Sequence, residues 1–265
     1  MSHALPPKST SNAAPNVVIF GETGVGKSSL VNMIAGKDVA EHANKAEGCT
    51  FQSKSYPVQI NGQSIALWDT AGLNEGHKGK VAAKDAIVNL CCLLRGLKDG
   101  VSLLVYCVRG RIKETTAKNY MMFYEGVCQL KVPILLVAIG LEEQDPMEGW
   151  WTENEAAFQR ENMVFDGHGC ITATKGKLRK GKHVYEEEYE ASRVTVLEVI
   201  AKNCFGTPWK PETRGWIKKA VKNVFRPEPY TPEYTSLILA LKKAGMSDKE
   251  AQEIVKDVEV KMSQW

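Results

Sequence analysis

A chain of 265 residues, 43% hydrophobic and with seven scattered cysteines, can build a substantial core and needs no disulfide framework. With 34 basic against 31 acidic residues the formal charge is +3, so bulk electrostatics select no polyanion and no nucleic-acid partner is expected. The polar, proline-bearing opening residues are no signal peptide, and no apolar run approaches the ~20 residues that cross a bilayer; a cytoplasmic protein is expected.

Residues 1–15 read as a disordered arm, 16–204 as one globular domain and 205–265 as a helical extension. The apolar run Val17–Phe20 predicts a strand that enters Gly21-Glu22-Thr23-Gly24-Val25-Gly26-Lys27-Ser28, a complete GxxxxGK[ST] pattern, and a helix follows from Ser28 to Ala35. Residues 37–50 read as a loop. Phe51–Ile60 and Gln63–Trp68 are strand segments joined by Asn61-Gly62, the turn pair that favours a hairpin. A glycine-spaced loop (Gly72, Gly76, Gly79) leads to a helical stretch with apolar residues at Ala83, Ile87, Leu90, Leu93, Leu94 and Leu97.

Beyond Gly100, Val101–Val108 is a buried strand by length and β-branching, 114–128 a helix and Val132–Ile139 another buried strand. Glu153–Arg160 is a helix, Cys170–Thr174 a short strand and Tyr185–Lys202 a long helix. Alternating strands and helices predict an α/β three-layer sandwich of P-loop NTPase type, its sheet mainly parallel with one antiparallel edge strand. In such sheets ligands bind beyond the carboxyl ends of the strands.

The glycine-rich turn can converge backbone N–H groups on an anion, Lys27 can reach terminal phosphates, and Ser28 can ligate magnesium. The segment expected to touch nucleotide runs from Gly21 through Ser29. Asp69-Thr70-Ala71-Gly72 follows 42 residues after Lys27: the Asp69 carboxylate suits magnesium, and the Gly72 N–H suits a γ-phosphate. Thr50, closing the loop before a strand, is either a further magnesium ligand or an ordinary strand-leading threonine. Lys27, Thr50 and Gly72 are the candidate catalytic residues.

For base reading, an Asn/Thr-Lys-x-Asp pattern would place a carboxylate against the guanine donors and a lysine over the ring. Ile139-Gly140-Leu141-Glu142 stands there instead, so Glu142 is either the base reader or part of an acidic loop. Ala173, in Ile171-Thr172-Ala173-Thr174-Lys175, can offer its N–H to guanine O6. The basic run Lys175–Lys182 reads as a solvated loop more readily than as a site for phosphates or nucleic acid, and His168 as structural.

At the C-terminus, Trp216–Phe225 forms a short amphipathic helix that could touch a membrane surface but suits packing on the domain better. A helix from Thr231 to Lys243, Gly245, and a capping box at Ser247–Glu250 opening a last helix to Met262 make a hairpin. Such a hairpin buries little alone and is expected to dock elsewhere or on a partner.

In GETGVGKSSLVN and WDTAGL the chain resembles translation-factor-class P-loop GTPases, and it is more similar to septins and to immunity-associated and chloroplast outer-envelope receptor GTPases than to Ras. LLVYCVRGRI, NYMMFYEGVC and the GLE string make it look closest to single-G-domain proteins of mushroom-forming fungi. The resemblance covers roughly residues 16–205. It implies GTP/GDP and Mg2+ as cofactors, a nucleotide switch or GTP-dependent assembler, a protein effector, and a homodimer across the nucleotide face. Leu73 stands where Ras-like enzymes orient the attacking water with glutamine, which implies slow turnover or none. Arg109 and Arg111 could then act as fingers on a facing protomer, although ion pairing at the end of their strand is the plainer expectation.

Overall fold

The structure is a computed structural model that describes residues 13–40, 54–70, 72, 80–210 and 235–263. Strands β1 (Asn16–Gly21), β2 (Lys54–Ile60), β3 (Gln63–Asp69), β4 (Leu103–Arg109), β5 (Ile134–Ile139) and β6 (Gly167–Ile171) form one sheet in the order β2-β3-β1-β4-β5-β6. Every pairing is parallel except β2 with β3, so the antiparallel strand lies at the edge as its hairpin predicts. Asn61 and Gly62 both carry positive φ, 50° and 76°, the geometry that matches the twist of two antiparallel strands. Pro57 is tolerated in β2 because an edge strand leaves one row of backbone groups outside the ladder.

Helices α1 (Lys27–Ala35) and α5 (Glu186–Asn203) cover one face, while α2 (Lys80–Gly96), α3 (Glu114–Tyr120) and α4 (Gly149–Arg160) cover the other. Alternate residues of the central strands feed the two cores: Val18, Phe20, Leu104 and Tyr106 on one side, Val17, Ile19, Leu103 and Val105 on the other. This is the α/β three-layer sandwich expected from the pattern.

Several bounds differ from expectation, each for a local reason. Residues 114–128 are one α-helical turn pair followed by a π-helix over Met121–Val127, closed by Cys128 N–H to the Phe123 carbonyl. Val101 leaves the parallel ladder and exchanges two backbone hydrogen bonds with Trp209 instead, so β4 starts at Leu103. β6 begins at Gly167, which a hydrophobic pattern cannot flag. A Cβ there would lie 3.1 Å from both Leu135 Cδ2 and Val199 Cγ2, so a glycine lets α5 approach the sheet. β6 ends at Ile171 because the Thr172 N–H turns away to Ser192 Oγ at 3.0 Å. The basic run holds a small hairpin, β7 (Leu178–Arg179) and β8 (Lys182–His183), turned at Lys180 and Gly181.

Helices α6 (Thr235–Lys243) and α7 (Asp248–Ser263) pack on this domain, against the π-helix and α2 respectively. Leu241, Ile254, Val255 and Val258 are buried in the same core as Ile87, Leu94 and Cys128. Of docking elsewhere or on a partner, the hairpin does the first: its apolar face completes the α2 side of the core. The Ser247–Glu250 capping box is present, with Ser247 N–H donating to Glu250 Oε2 and Glu250 N–H to Ser247 Oγ. No described helix is long and apolar enough to cross a membrane. Residues 1–12 of the arm expected at 1–15 and the helix Trp216–Phe225 lie outside the described residues.

Candidate functional site

The GxxxxGK[ST] segment links β1 to α1, as its flanks require. Gly21 lies against β4, where an added Cβ would stand 2.4 Å from the Cys107 carbonyl oxygen. Gly26 takes φ 106° directly before α1 and presses on Ile139 of β5. No side chain caps the first turn of α1 and no acid lies in it, so its leading N–H groups face the turn as donors for an anion. Glu22 is held from outside: its carboxylate accepts from the Thr115 hydroxyl and lies 3.6 Å from Lys113 Nζ. Lys27 Nζ folds back over the turn and donates to the Gly21 and Glu22 carbonyls at 3.2 and 2.9 Å. Thr23, Gly24, Val25 and Ser29 complete the loop and the first helical turn.

β3 delivers Asp69 beside it. Ser28 Oγ donates to Asp69 Oδ2 at 2.8 Å, and the other carboxylate oxygen is buried with no hydrogen-bond partner. Burial raises the Asp69 pKa, opposed by the Ser28 hydrogen bond and the Lys27 charge. A desolvated carboxylate with an orphaned oxygen next to a hydroxyl is a donor pair that suits a hard divalent cation, which dehydrates reluctantly and takes few protein ligands. Thr70 Oγ1 anchors the segment by donating to the Ile19 carbonyl at 2.9 Å. Gly72 then meets the phosphate loop: a Cβ on it would stand 2.1 Å from Thr23 Oγ1 and 2.7 Å from Thr23 N. The second and first motifs thus touch at a point that only glycine permits. Thr50 and Leu73 lie outside the described residues.

At the other end, the loops after β5 and β6 are stapled together, with Gly140 and Leu141 N–H both donating to the Ile171 carbonyl at 3.1 and 3.3 Å. Glu142 is half-buried on this loop, and Glu143 accepts from the Tyr185 hydroxyl at 2.7 Å. A cavity of about 660 Å³ opens beside α1 and the loop after β6, lined among others by Ser29, Asn32, Asp38, Ala173, Lys175 and Arg193. Ser29 and Ala173 therefore line the same cavity, and Glu142 does not. Lys175 is fixed by Glu190 at 3.2 Å and lies over the Tyr189 ring. His168 stacks on Trp151 at 4.3 Å and pairs with Glu148, a structural placement.

Two features escape sequence reasoning. Ser192, on α5, holds the Thr172 backbone and so shapes the turn into Ala173; no local pattern marks a helix serine for that task. Arg109 lies over Gly140 from the neighbouring strand, with Nε 2.6 Å from where a Cβ would be. Neither Arg109 nor Arg111 forms an ion pair with a described residue, which corrects the plainer expectation for them.

Comparison with known proteins adds the following. Residues 16–138 match the family described as 50S ribosome-binding GTPase. Immune-associated nucleotide-binding protein 3 of Arabidopsis thaliana is 36% identical over 236 residues, covering 80% of this chain and 66% of that protein. GTPase Der of Campylobacter curvus (strain 525.92) is 24% identical over 135 residues, covering 51% of this chain and 27% of that protein. A crystal structure of a dimerization-deficient mutant of Toc33 from Arabidopsis thaliana superposes with a TM-score of 0.52 at 16% identity, covering 72% of this chain and 84% of that one. The chain spans 18% to 66% of the length of the first curated relatives that it matches.

Proposed function

We propose, from the premise that this chain carries a P-loop GTPase domain of the 50S ribosome-binding GTPase type over residues 16–138, that it binds GTP and GDP with Mg2+ and hydrolyses GTP slowly. The observation that carries this reading is that β3 brings Asp69 against Ser28 and Gly72 against Thr23 of the glycine-rich loop that holds Lys27, with one Asp69 oxygen buried and unpaired. Gly21 to Ser29 supply the phosphate contacts, Ser28 and Asp69 would hold magnesium, directly or through water, and Thr50 would complete that set. The ion would neutralise charge on the β- and γ-oxygens. Gly72 offers its N–H to the γ-phosphate, and Ala173 and Glu142 read the base.

Turnover is expected at a rate on the order of 10⁻³ per second or below without a partner, since Leu73 can neither accept nor donate a hydrogen bond to water. The cycle would serve as a nucleotide switch or a GTP-dependent assembler in the cytoplasm, with a protein effector, a facing second copy, and no nucleic acid. Residues 16–204 would form the nucleotide-handling domain and 205–265 its extension. The mutated Toc33 is described as dimerization-deficient, which supports asking whether this chain pairs too. Kinship with septins and with single-G-domain fungal proteins rests on the sequence strings quoted above.

A second reading, a scaffold that holds nucleotide without turnover, is consistent with Leu73 and Gly140. Phosphate release by wild type and Lys27→Ala, with GTP and with ATP, tests both. Release from GTP that Lys27→Ala abolishes supports the first; binding without release supports the second. Equal release by both proteins removes the hydrolase reading, and preference for ATP removes the base assignment.

A further inference from the structure

The base-side loop lacks a side chain where a cation is wanted. Gly140 takes φ 91°, a conformation that a lysine would adopt only with strain, and its position borders the phosphate loop because the preceding Ile139 packs on Gly26. Arg109 ends β4 in register with Ile139, so its side chain leaves the sheet beside Gly140. The guanidinium fills the space above that glycine: a Cβ on Gly140 would stand 2.6 Å from Arg109 Nε and 3.1 Å from Cζ. It is exposed and has no hydrogen bond or ion pair to a described residue, so nothing in the described fold accounts for its placement. The Gly140 and Leu141 N–H groups are stapled to the Ile171 carbonyl, two residues before Ala173, which lines the cavity beside α1.

We infer that Arg109 is a nucleotide-binding residue whose guanidinium lies against the guanine ring from the β4 side, occupying the place that Gly140 leaves open. A planar, weakly hydrated guanidinium stacks on an aromatic face better than an ammonium does, and its charge complements the electron-rich purine. The side chain has come from the adjacent strand because recognition of a ring face depends on where the cation stands, not on which strand carries it. The glycine is then a requirement of the arrangement, since any Cβ at 140 displaces the arginine. This inference rests on guanine-nucleotide binding as proposed above.

Fluorescent GDP and GTP analogues titrated into wild type, Arg109→Ala and Arg109→Lys provide the test, with inorganic pyrophosphate as a competitor that has no base. Arg109→Ala should weaken GDP and GTP alike by about tenfold, with faster release, and leave pyrophosphate unaffected. Arg109→Lys should recover part of the loss. Unchanged GDP affinity, a loss confined to GTP, or an equal loss for pyrophosphate would overturn the inference, the last two assigning Arg109 to phosphate. Wild type that binds GDP while Arg109→Ala binds it equally well sinks this inference alone. Wild type that binds neither guanine nucleotide sinks the proposed function with it.

Discussion

The phosphate end and the base end of the candidate site are built on different principles. At the phosphate end the proposed contacts are backbone N–H groups and two short side chains, hung on glycines whose missing Cβ atoms are filled by neighbours: Cys107 at Gly21 and Thr23 at Gly72. Such a cradle has little freedom to vary, because a methyl group at either position collides with main chain. The base end, as proposed, would be read by side chains on loops, with the cation supplied by Arg109, which lies over Gly140, instead of by the loop itself. What must be preserved is a position in space, and two adjacent strands can each supply it.

The sharpest break in this comparison is Lys27→Ala. Losing the buried cation should reduce nucleotide affinity by at least ~100-fold, as expected for charge-assisted contacts to phosphate, measured by equilibrium titration. Gly72→Ala comes next. The added methyl must push Thr23 or the Asp69–Gly72 segment aside, at about 1–3 kcal/mol, seen as a lower melting temperature and a loss of preference for GTP over GDP. If Gly72→Ala keeps both, the contact between the two motifs is not what orders the phosphate end.

Asp69→Asn removes the charge but keeps the shape. Magnesium should then tighten GTP about 10-fold less than in wild type, while affinity without magnesium holds or improves, since a desolvated carboxylate no longer faces phosphate. At the base end, Glu142→Ala should weaken GTP about tenfold and leave ATP unchanged, in line with a hydrogen bond to a charged acceptor. Unaltered discrimination between GTP and ATP would return Glu142 to the acidic loop. The smallest effect is Ser192→Ala, which leaves the Thr172 N–H without its partner and should cost about 1 kcal/mol of stability, read by denaturant titration.

The elements most legible in the sequence are those whose cause is local. Asn61-Gly62 announces its hairpin because both residues accept positive φ, and the cores of β1, β4 and β5 are visible because strands buried on both faces read as continuous apolar runs. β6 is half hidden, since Gly167 gives room for the close approach of α5 and His168 stacks on Trp151 of α4, neither of which a hydrophobic pattern can flag. The π-helix and the Val101–Trp209 bridge have no sequence signal, as each is a hydrogen-bond register decided by packing. The C-terminal hairpin was legible as two helices, yet its destination against α2 and the π-helix was not, because amphipathicity says that a face must be covered and not by what.

By itself the sequence determined the alternating architecture, the edge hairpin and the phosphate loop, since each is a contiguous segment whose backbone conformation is set by its own glycines and apolar spacing. Only the tertiary structure decided that Asp69 keeps one oxygen buried and unpaired beside Ser28, that the hairpin α6–α7 closes the core, and that Arg109 covers Gly140. Those relations join residues far apart in the chain, and they exist only once the sheet has set the strands side by side in register.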